Sequence, residues 1–237
     1  MSRFDLIAFD ADDTLWENEH LFLEAQAKFK ALLSKFHPPE WVAARLYETE
    51  MRNMQHFGYG IKAFALSMIE TALDLTEDRV SGADVRAIID AAKAMLAADV
   101  QLLEHAAPIV SALSSRYDLM VITKGDLRDQ QAKMTRSGLT THFVHVEVVS
   151  DKTRGAYEAI LRRHRVAPER FLMVGNSLRS DVLPVLALGG TAVYVPHRLT
   201  WAHEAADVPG ADVRGYFEIT DLAALPALLD RLENDGT

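Results

Sequence analysis

The sequence predicts an α/β protein in which a parallel sheet is interrupted, after its first strand, by a bundle of helices. Three observations carry this. An apolar run, Leu6-Ile7-Ala8-Phe9, ends abruptly in Asp10, Asp12 and Asp13, as a buried strand does when it delivers polar groups to the carboxyl edge of a parallel sheet. The next eighty or so residues carry apolar side chains at helical spacing. From Pro108 onward, short apolar strands alternate with helices, the pattern of a sheet covered on both faces.

Taken in order, the strand at 6–9 is followed by a helix over 19–36, where Leu21, Phe22, Ala25, Phe29, Leu32 and Leu33 share a face and Pro38 and Pro39 stop it. Helices over 40–56, 61–73 and 82–98 follow, separated by Gly58-Tyr59-Gly60 and by the Thr76-Glu77-Asp78 turn. Four such helices make a compact bundle. A helix over 108–116 returns the chain to the sheet, and a second strand, 118–123, ends in Thr123, Lys124, Gly125 and Asp126. Then come a helix over 127–137 closed by Gly138, a third strand over 143–149 running into Asp151 and Lys152, and a helix over 153–164. The fourth strand, 171–174, leads into Gly175, Asn176 and, further on, Asp181. A short helix over 182–188 and a fifth strand over 191–195 follow. Residues 197–215 read as loop, 216–219 as a short strand and 222–232 as a last helix.

Composition removes several functions. The net charge of −9 opposes nucleic acid and anionic membranes, which want a basic face, and leaves room for a small charged substrate at a local site. With no cysteine there are no disulfides, thiolate nucleophiles or cysteine metal ligands. The longest weakly apolar region, 183–195, is broken by Pro184, Gly189 and Gly190, so no membrane span is expected. No basic stretch followed by an apolar core opens the chain, and the expectation is a cytoplasmic protein, monomer or homodimer.

Chemistry is written at the strand ends. Asp10 and Asp12 sit two apart, so in extended backbone both side chains point the same way. Such a pair can hold a hard cation or divide into a nucleophile and a general acid/base; it can also be an Asp-rich turn with Thr14 capping a helix. Thr123, Lys152, Asn176 and Asp181 then decorate the same sheet edge.

This ordered set resembles the haloacid dehalogenase-like hydrolase superfamily, whose pattern is Asp-x-Asp-x-Thr, a Thr or Ser after the second strand, a Lys, and a final Gly-Asp-x-x-x-x-Asp. The resemblance covers nearly the whole chain. It implies a Rossmann-like core of residues 1–15 and 105–237 with a helical cap, residues 16–104, inserted after the first strand. It makes Asp10 the nucleophile that forms an aspartyl-phosphate, and Asp12 the acid that protonates the leaving oxygen and then the base that activates water. Thr123 and Lys152 would hold the phosphoryl oxygens. A Mg2+ ion would bridge Asp10, the Asp12 carbonyl, the phosphate and the final motif.

Two positions depart from the pattern. Asn176 stands where the family has Asp, so either its amide oxygen ligates more weakly or Asp181 becomes the anionic ligand. Lys124 stands where many relatives have Asn, and either lends charge to a substrate or points into solvent. Asp12 itself favours a phosphatase acting on a small phosphorylated metabolite, because an alcohol leaving group needs a proton and the halide released by a 2-haloacid dehalogenase does not. A phosphate-binding protein without turnover is the alternative from another class.

In the cap, Arg52, His56, Tyr59 and Lys62, with Gly58 and Gly60 as hinges, resemble the loop that such caps lower over the site to select substrate; the plain alternative is a helix–helix turn with exposed polar groups. Trp16, Glu17, Asn18 and His20 leave the first strand near the site, and Asp13 reads as structural. His197, Trp201 and His203 form an aromatic and imidazole cluster. A metal site there would need more acidic or histidine partners, so packing and exposure to solvent are expected.

Overall fold

A computed structural model describes residues 2–210 and 213–234; residues 211 and 212 of the expected loop and the outermost residues of the expected core segments lie outside the described residues. Among the described residues six strands form one parallel sheet: β1 (Leu6–Phe9), β2 (Leu119–Lys124), β3 (His145–Val149), β4 (Phe171–Gly175), β5 (Thr191–Tyr194) and β6 (Tyr216–Glu218). Their order is β3-β2-β1-β4-β5-β6, with β1 hydrogen-bonded on both sides, Ile7 opposite Leu119 and Leu172. The first strand is therefore interior, and its carboxyl end opens where the chain reverses its direction of travel across the sheet.

Both faces of β1 are buried, which is why its four residues are all apolar. Ile7 and Phe9 pack with α5 (Ala106–Ser114) and α9 (Leu225–Asn234) on one side; Leu6 and Ala8 pack with Tyr157, Ile160 and Leu161 of α7 (Arg154–His164) on the other. Between β1 and α5 the helices α1 (Glu19–Leu33), α2 (Pro39–Phe57), α3 (Ile61–Thr76) and α4 (Gly82–Ala97) enclose their own apolar cluster around Phe29, Leu46, Phe64, Met68 and Ile88. Ser81 and Asp84 close a reciprocal capping box at the start of α4. No helix among the described residues is long and apolar enough to cross a membrane.

Several bounds shift by two or three residues (α1 stops at Leu33, α3 runs on to Thr76, β3 starts at His145), a 3-10 turn over Ala202–Glu204 interrupts the expected loop, and three further differences have a local cause. The helix expected over 182–188 is a wide π-type turn over Leu178–Val182 followed by only four α-helical residues, α8 (Leu183–Leu186). Ser177 caps this turn by accepting from Ser180 N, starting it four residues early, and Pro184 sits in the first turn of α8. The last helix begins at Leu225, preceded by a 3-10 turn over Leu222–Ala224 that Asp221 caps through Ala223 N. Pro108 lies inside the first turn of α5 instead of opening it, where its missing N–H costs nothing.

The bundle meets the loop after β2 through two residues. Gly60, at φ +111°, lies so close to the loop after β2 that a Cβ there would meet Asp126 N at 3.3 Å. Lys62 pairs with Asp126 at 2.9 Å.

Candidate active site

Asp10 N–H donates to the Val174 carbonyl at 2.9 Å, so the residue leaves the sheet at its carboxyl edge between β2 and β4. Asp10, Asp12, Thr123, Lys124, Lys152, Asn176 and Asp181 all border one cavity of about 200 Å³ between the sheet edge and the helical bundle. The strand ends thus do bring the sequence-expected residues of the core together.

Each acid there has a cation. The Lys152 ammonium, almost wholly buried, contacts Asp10 Oδ1 and donates to Asp181 Oδ1 at 2.7 Å. Burial opposes its charge, but the two carboxylates outweigh that and raise its pKa. Asp181 Oδ2 accepts from Ser177 N at 3.0 Å, so both its oxygens are engaged. It packs so tightly over the end of β4 that a Cβ at position 175 would lie 2.3 Å from its carboxyl carbon, and only glycine fits there. Because Lys152 is shared, Asp10 is not fully balanced: burial, with Asp181 beside it, pushes its carboxyl up to about 7 against the pull of Lys152.

Asp12 has a separate set of partners. Lys133 Nζ reaches its two oxygens at 2.7 and 2.8 Å, Gln130 Nε2 donates at 2.8 Å and Trp16 Nε1 at 2.7 Å. Burial raises this carboxyl, but these donors more than offset it and hold Asp12 below the usual carboxylate range. Lys133 and Gln130 lie on α6 (Leu127–Arg136) and did not emerge from the sequence reading. A signal was present: the buried side of this helix is Asp129, Gln130, Lys133 and Met134, where an ordinary helix has an apolar stripe.

Thr14 Oγ1 lies 3.1 Å from Asp10 Oδ2 and 3.3 Å from Asn176 Oδ1, and its single proton can serve only one of them. Two oxygen acceptors thus converge with fewer protons than they could accept, a donor set that suits a hard cation. Thr123 Oγ1 makes no hydrogen bond to any described residue and faces the cavity from the end of β2.

Lys124 neither stands free nor points into solvent. Its ammonium contacts Glu204, donates to Ser180 Oγ at 2.8 Å and sits 4.1 Å from the centre of the Tyr59 ring. Glu204 also accepts from Ser180 Oγ at 2.6 Å and from Ser177 Oγ; burial pushes it up, and Lys124 with these donors brings it down to about 2. Nothing in the loop sequence singled Glu204 out.

The cap residues fall elsewhere. Arg52 pairs with Glu70 at 3.3 Å and Asp74 at 3.7 Å, His56 is exposed beside Gln55, and Lys62 is held by Asp126; none borders the cavity. The cap side is lined instead by Glu19, Phe22, Glu50, Met54, Tyr59 and Phe64. Tyr59 packs edge-on to Trp201 and against His203. Trp16 is buried, and Asp13, in the left-handed region at φ 60°, accepts from Asn18 N and Glu19 N to cap α1.

Residues 4–189 match the family model of the haloacid dehalogenase-like hydrolase, a hydrolase family. The glyceraldehyde 3-phosphate phosphatase of Methanothermobacter thermautotrophicus is 32% identical over 121 residues, a match spanning 48% of this chain and 53% of that protein, about half its length. A crystal structure of a haloacid dehalogenase-like family hydrolase from Xanthomonas campestris is 38% identical, with a TM-score of 0.88 over 98% of this chain and 93% of that one. The HAD-hydrolase YfnB from Bacillus subtilis, solved bound to magnesium, shares the fold at 19% identity, with a TM-score of 0.66 over 97% and 100% of the two chains.

Proposed function

The chain belongs to the haloacid dehalogenase-like hydrolase family and is a hydrolase, and we propose that it is a Mg2+-dependent phosphatase acting on a small phosphate monoester. The observation that carries this reading is the pair Asp10 and Asp12 on one cavity wall, held by two different lysines, Lys152 and Lys133.

Asp10 attacks phosphorus, forming a carboxylate–phosphorus bond as the bond to the alcohol oxygen breaks. Asp12 gives that oxygen its proton. The substrate's negative charge supplies the upward push that lets a carboxyl held low in the free enzyme carry one. Asp12 then takes a proton from the water that hydrolyses the aspartyl-phosphate. Lys133, Gln130 and Trp16 fix the Asp12 carboxylate for both tasks. Lys152 and the unpartnered Thr123 hydroxyl face the phosphoryl oxygens, where negative charge develops.

Asp10, the Asp12 carbonyl and the Asn176 amide oxygen are the donors that would hold Mg2+, and the ion when bound supplies positive charge opposite the phosphoryl group. Asn176 is the better candidate than Asp181, whose two oxygens already serve Lys152 and Ser177 N. Asp181 acts by positioning Lys152.

The cap wall bears on the alcohol. It presents Glu19 and Glu50 beside Phe22, Met54 and Phe64, and no cap lysine, arginine or histidine lines it. That suits an alcohol carrying hydroxyls or an amine and, where these two acids ionise, works against one carrying a carboxylate. Glyceraldehyde 3-phosphate, named for the archaeal relative, has an uncharged body.

The test is phosphate release from p-nitrophenyl phosphate and a panel of small phosphate esters, with Mg2+ or with a chelator, for the wild type and Asp10→Asn. Metal-dependent turnover lost in Asp10→Asn is the expected result. Release of halide from 2-haloacids without phosphate release would replace the phosphatase reading with a dehalogenase, and binding without turnover would replace it with a binding protein.

A further inference from the structure

Apart from the donors around Asp10, a second group of ligating side chains meets at the base of the cap. The fold brings Asp13 and Glu17, from the turn between β1 and α1, against His197 at the start of the loop that follows β5. One ligand atom from each lies within 4.8 Å of the others. The sequence alone showed His197 with no acidic partner, because those partners arrive only through the sheet order.

The histidine carries the argument. Its ring is 7% exposed; Nδ1 lies 2.9 Å from the Leu199 carbonyl, which can only accept, and 3.4 Å from Leu199 N, and the shorter contact assigns the proton to Nδ1. In the neutral ring Nε2 is then a lone pair. It has no hydrogen-bond partner, although Glu17 Oε2 is 3.3 Å away, and that oxygen has none either. Glu17's other oxygen is taken by Arg198 at 3.1 Å. Two buried acceptors held side by side repel each other until a cation stands between them, either a second proton on the ring or a metal ion.

The spacing of Nε2 and Glu17 Oε2 admits a metal ion. Two ligands each about 2.0–2.1 Å from a tetrahedral ion lie about 3.3 Å apart. A ring nitrogen fixed by a carbonyl at its other nitrogen is the usual outer support of a metal-bound histidine. One imidazole with two carboxylates suits a borderline ion such as Zn2+, whereas Mg2+ and Ca2+ take oxygen. Asp13 keeps lone pairs for an ion while capping α1.

We propose that Asp13, Glu17 and His197 form a second divalent-metal site, of Zn2+ type, separate from the catalytic donors. An ion there ties the loop carrying Trp201 and Glu204, which wall the cavity, to the segment where the cap departs from the core. The site therefore stiffens the cap hinge and one side of the cavity together.

The experiment uses the full chain, stripped with a chelator and then held in excess Mg2+ to fill the Asp10 centre. Co2+ is titrated and its visible absorption followed, with Zn2+ as competitor. About one Mg2+-resistant equivalent of Co2+ is expected, displaced by Zn2+. His197→Gln and Glu17→Gln should each weaken it by about 10- to 100-fold or more. Asp10→Asn should leave it unchanged. Zn2+ should also slow amide hydrogen exchange over residues 197–204. Absence of a Mg2+-resistant Co2+ band would overturn the proposal, as would a band indifferent to His197→Gln and Glu17→Gln. Should His197→Gln fail to fold, Glu17→Gln alone decides.

Discussion

On the core side of the cavity the acids are paired: Asp10 and Asp181 share Lys152, Asp12 has Lys133, and Glu204 has Lys124. On the cap side Glu19 and Glu50 border the same space with no ion-pair or hydrogen-bond partner for either carboxylate among the described residues. The pKa shifts follow this division. Asp12 and Glu204 are held low by their lysines, while burial pushes Glu19 up to about 8 and Glu50 up to about 7. Paired charges are fixed in place and can be aimed at a group common to every substrate. Unpaired ones are left to be satisfied, or opposed, by whatever the substrate brings.

The strongest way to break the comparison is to remove a core cation. Lys152→Met would leave Asp10 and Asp181 buried, facing each other, with nothing between them. Loss of one partner of a buried ion pair typically costs about 3–5 kcal/mol, so denaturant unfolding without metal should show a drop of that size along with loss of turnover. A variant as stable as the wild type would mean that the lysine serves chemistry alone. Asp181→Asn should lose activity for the same reason, through a displaced Lys152.

A smaller effect with a defined sign attaches to Glu204. Its carboxyl titrates near 2 in the folded protein and near 4.5 when unfolded, so it adds stability above pH 4.5 and loses it as pH falls from about 4.5 to about 2. The shift corresponds to at most about 3 kcal/mol. Glu204→Gln should therefore lower stability at pH 7 by about 1–3 kcal/mol and narrow that deficit at pH 3. Unfolding curves at the two pH values check it; an equal deficit at both would assign the loss to the hydrogen bonds with Ser177 and Ser180 and not to the charge.

These two regions also differed in how far they could be read from sequence. Residues at strand ends were legible, because an apolar run that stops in a polar residue states both where the strand ends and which edge it reaches. Asp10, Thr123, Lys152 and Asn176 were found that way, and the sheet brings them together. Lys133 escapes a reading of its helix by start and stop signals, and only the polar residues the helix has to bury reveal it. Glu204 carried no signal, since its partners Lys124, Ser177 and Ser180 reach it through the sheet order and not through any local period. Arg52, His56 and Lys62 stand out in the sequence only for charge beside a glycine hinge. Helix phase instead points Arg52 at Glu70 and Asp74 on α3, and Lys62 at the loop after β2.

The subtlest measurement concerns the cap wall. Glu19, titrating near 8 in the folded protein and near 4.5 unfolded, costs stability progressively as pH rises from about 4.5 to about 8, and Glu50 does so over about 4.5 to 7. Glutamine at either position removes that cost. Glu19→Gln should match the wild type near pH 4 and exceed it by about 1 kcal/mol at pH 8.5, with part of the shift discounted because the group is open to the cavity. In turnover at pH 8.5, where both carboxyls are largely ionised, both substitutions should leave kcat on an uncharged ester within about twofold and raise kcat/KM for esters bearing a carboxylate by several-fold, since a like charge has been taken from their path; near pH 6, where both are protonated, that gain should vanish. Variants that gain stability at high pH yet discriminate as the wild type does would show that the cap acids are unpaired for a reason other than reading the substrate. The contrast between the two walls would then be one of burial alone.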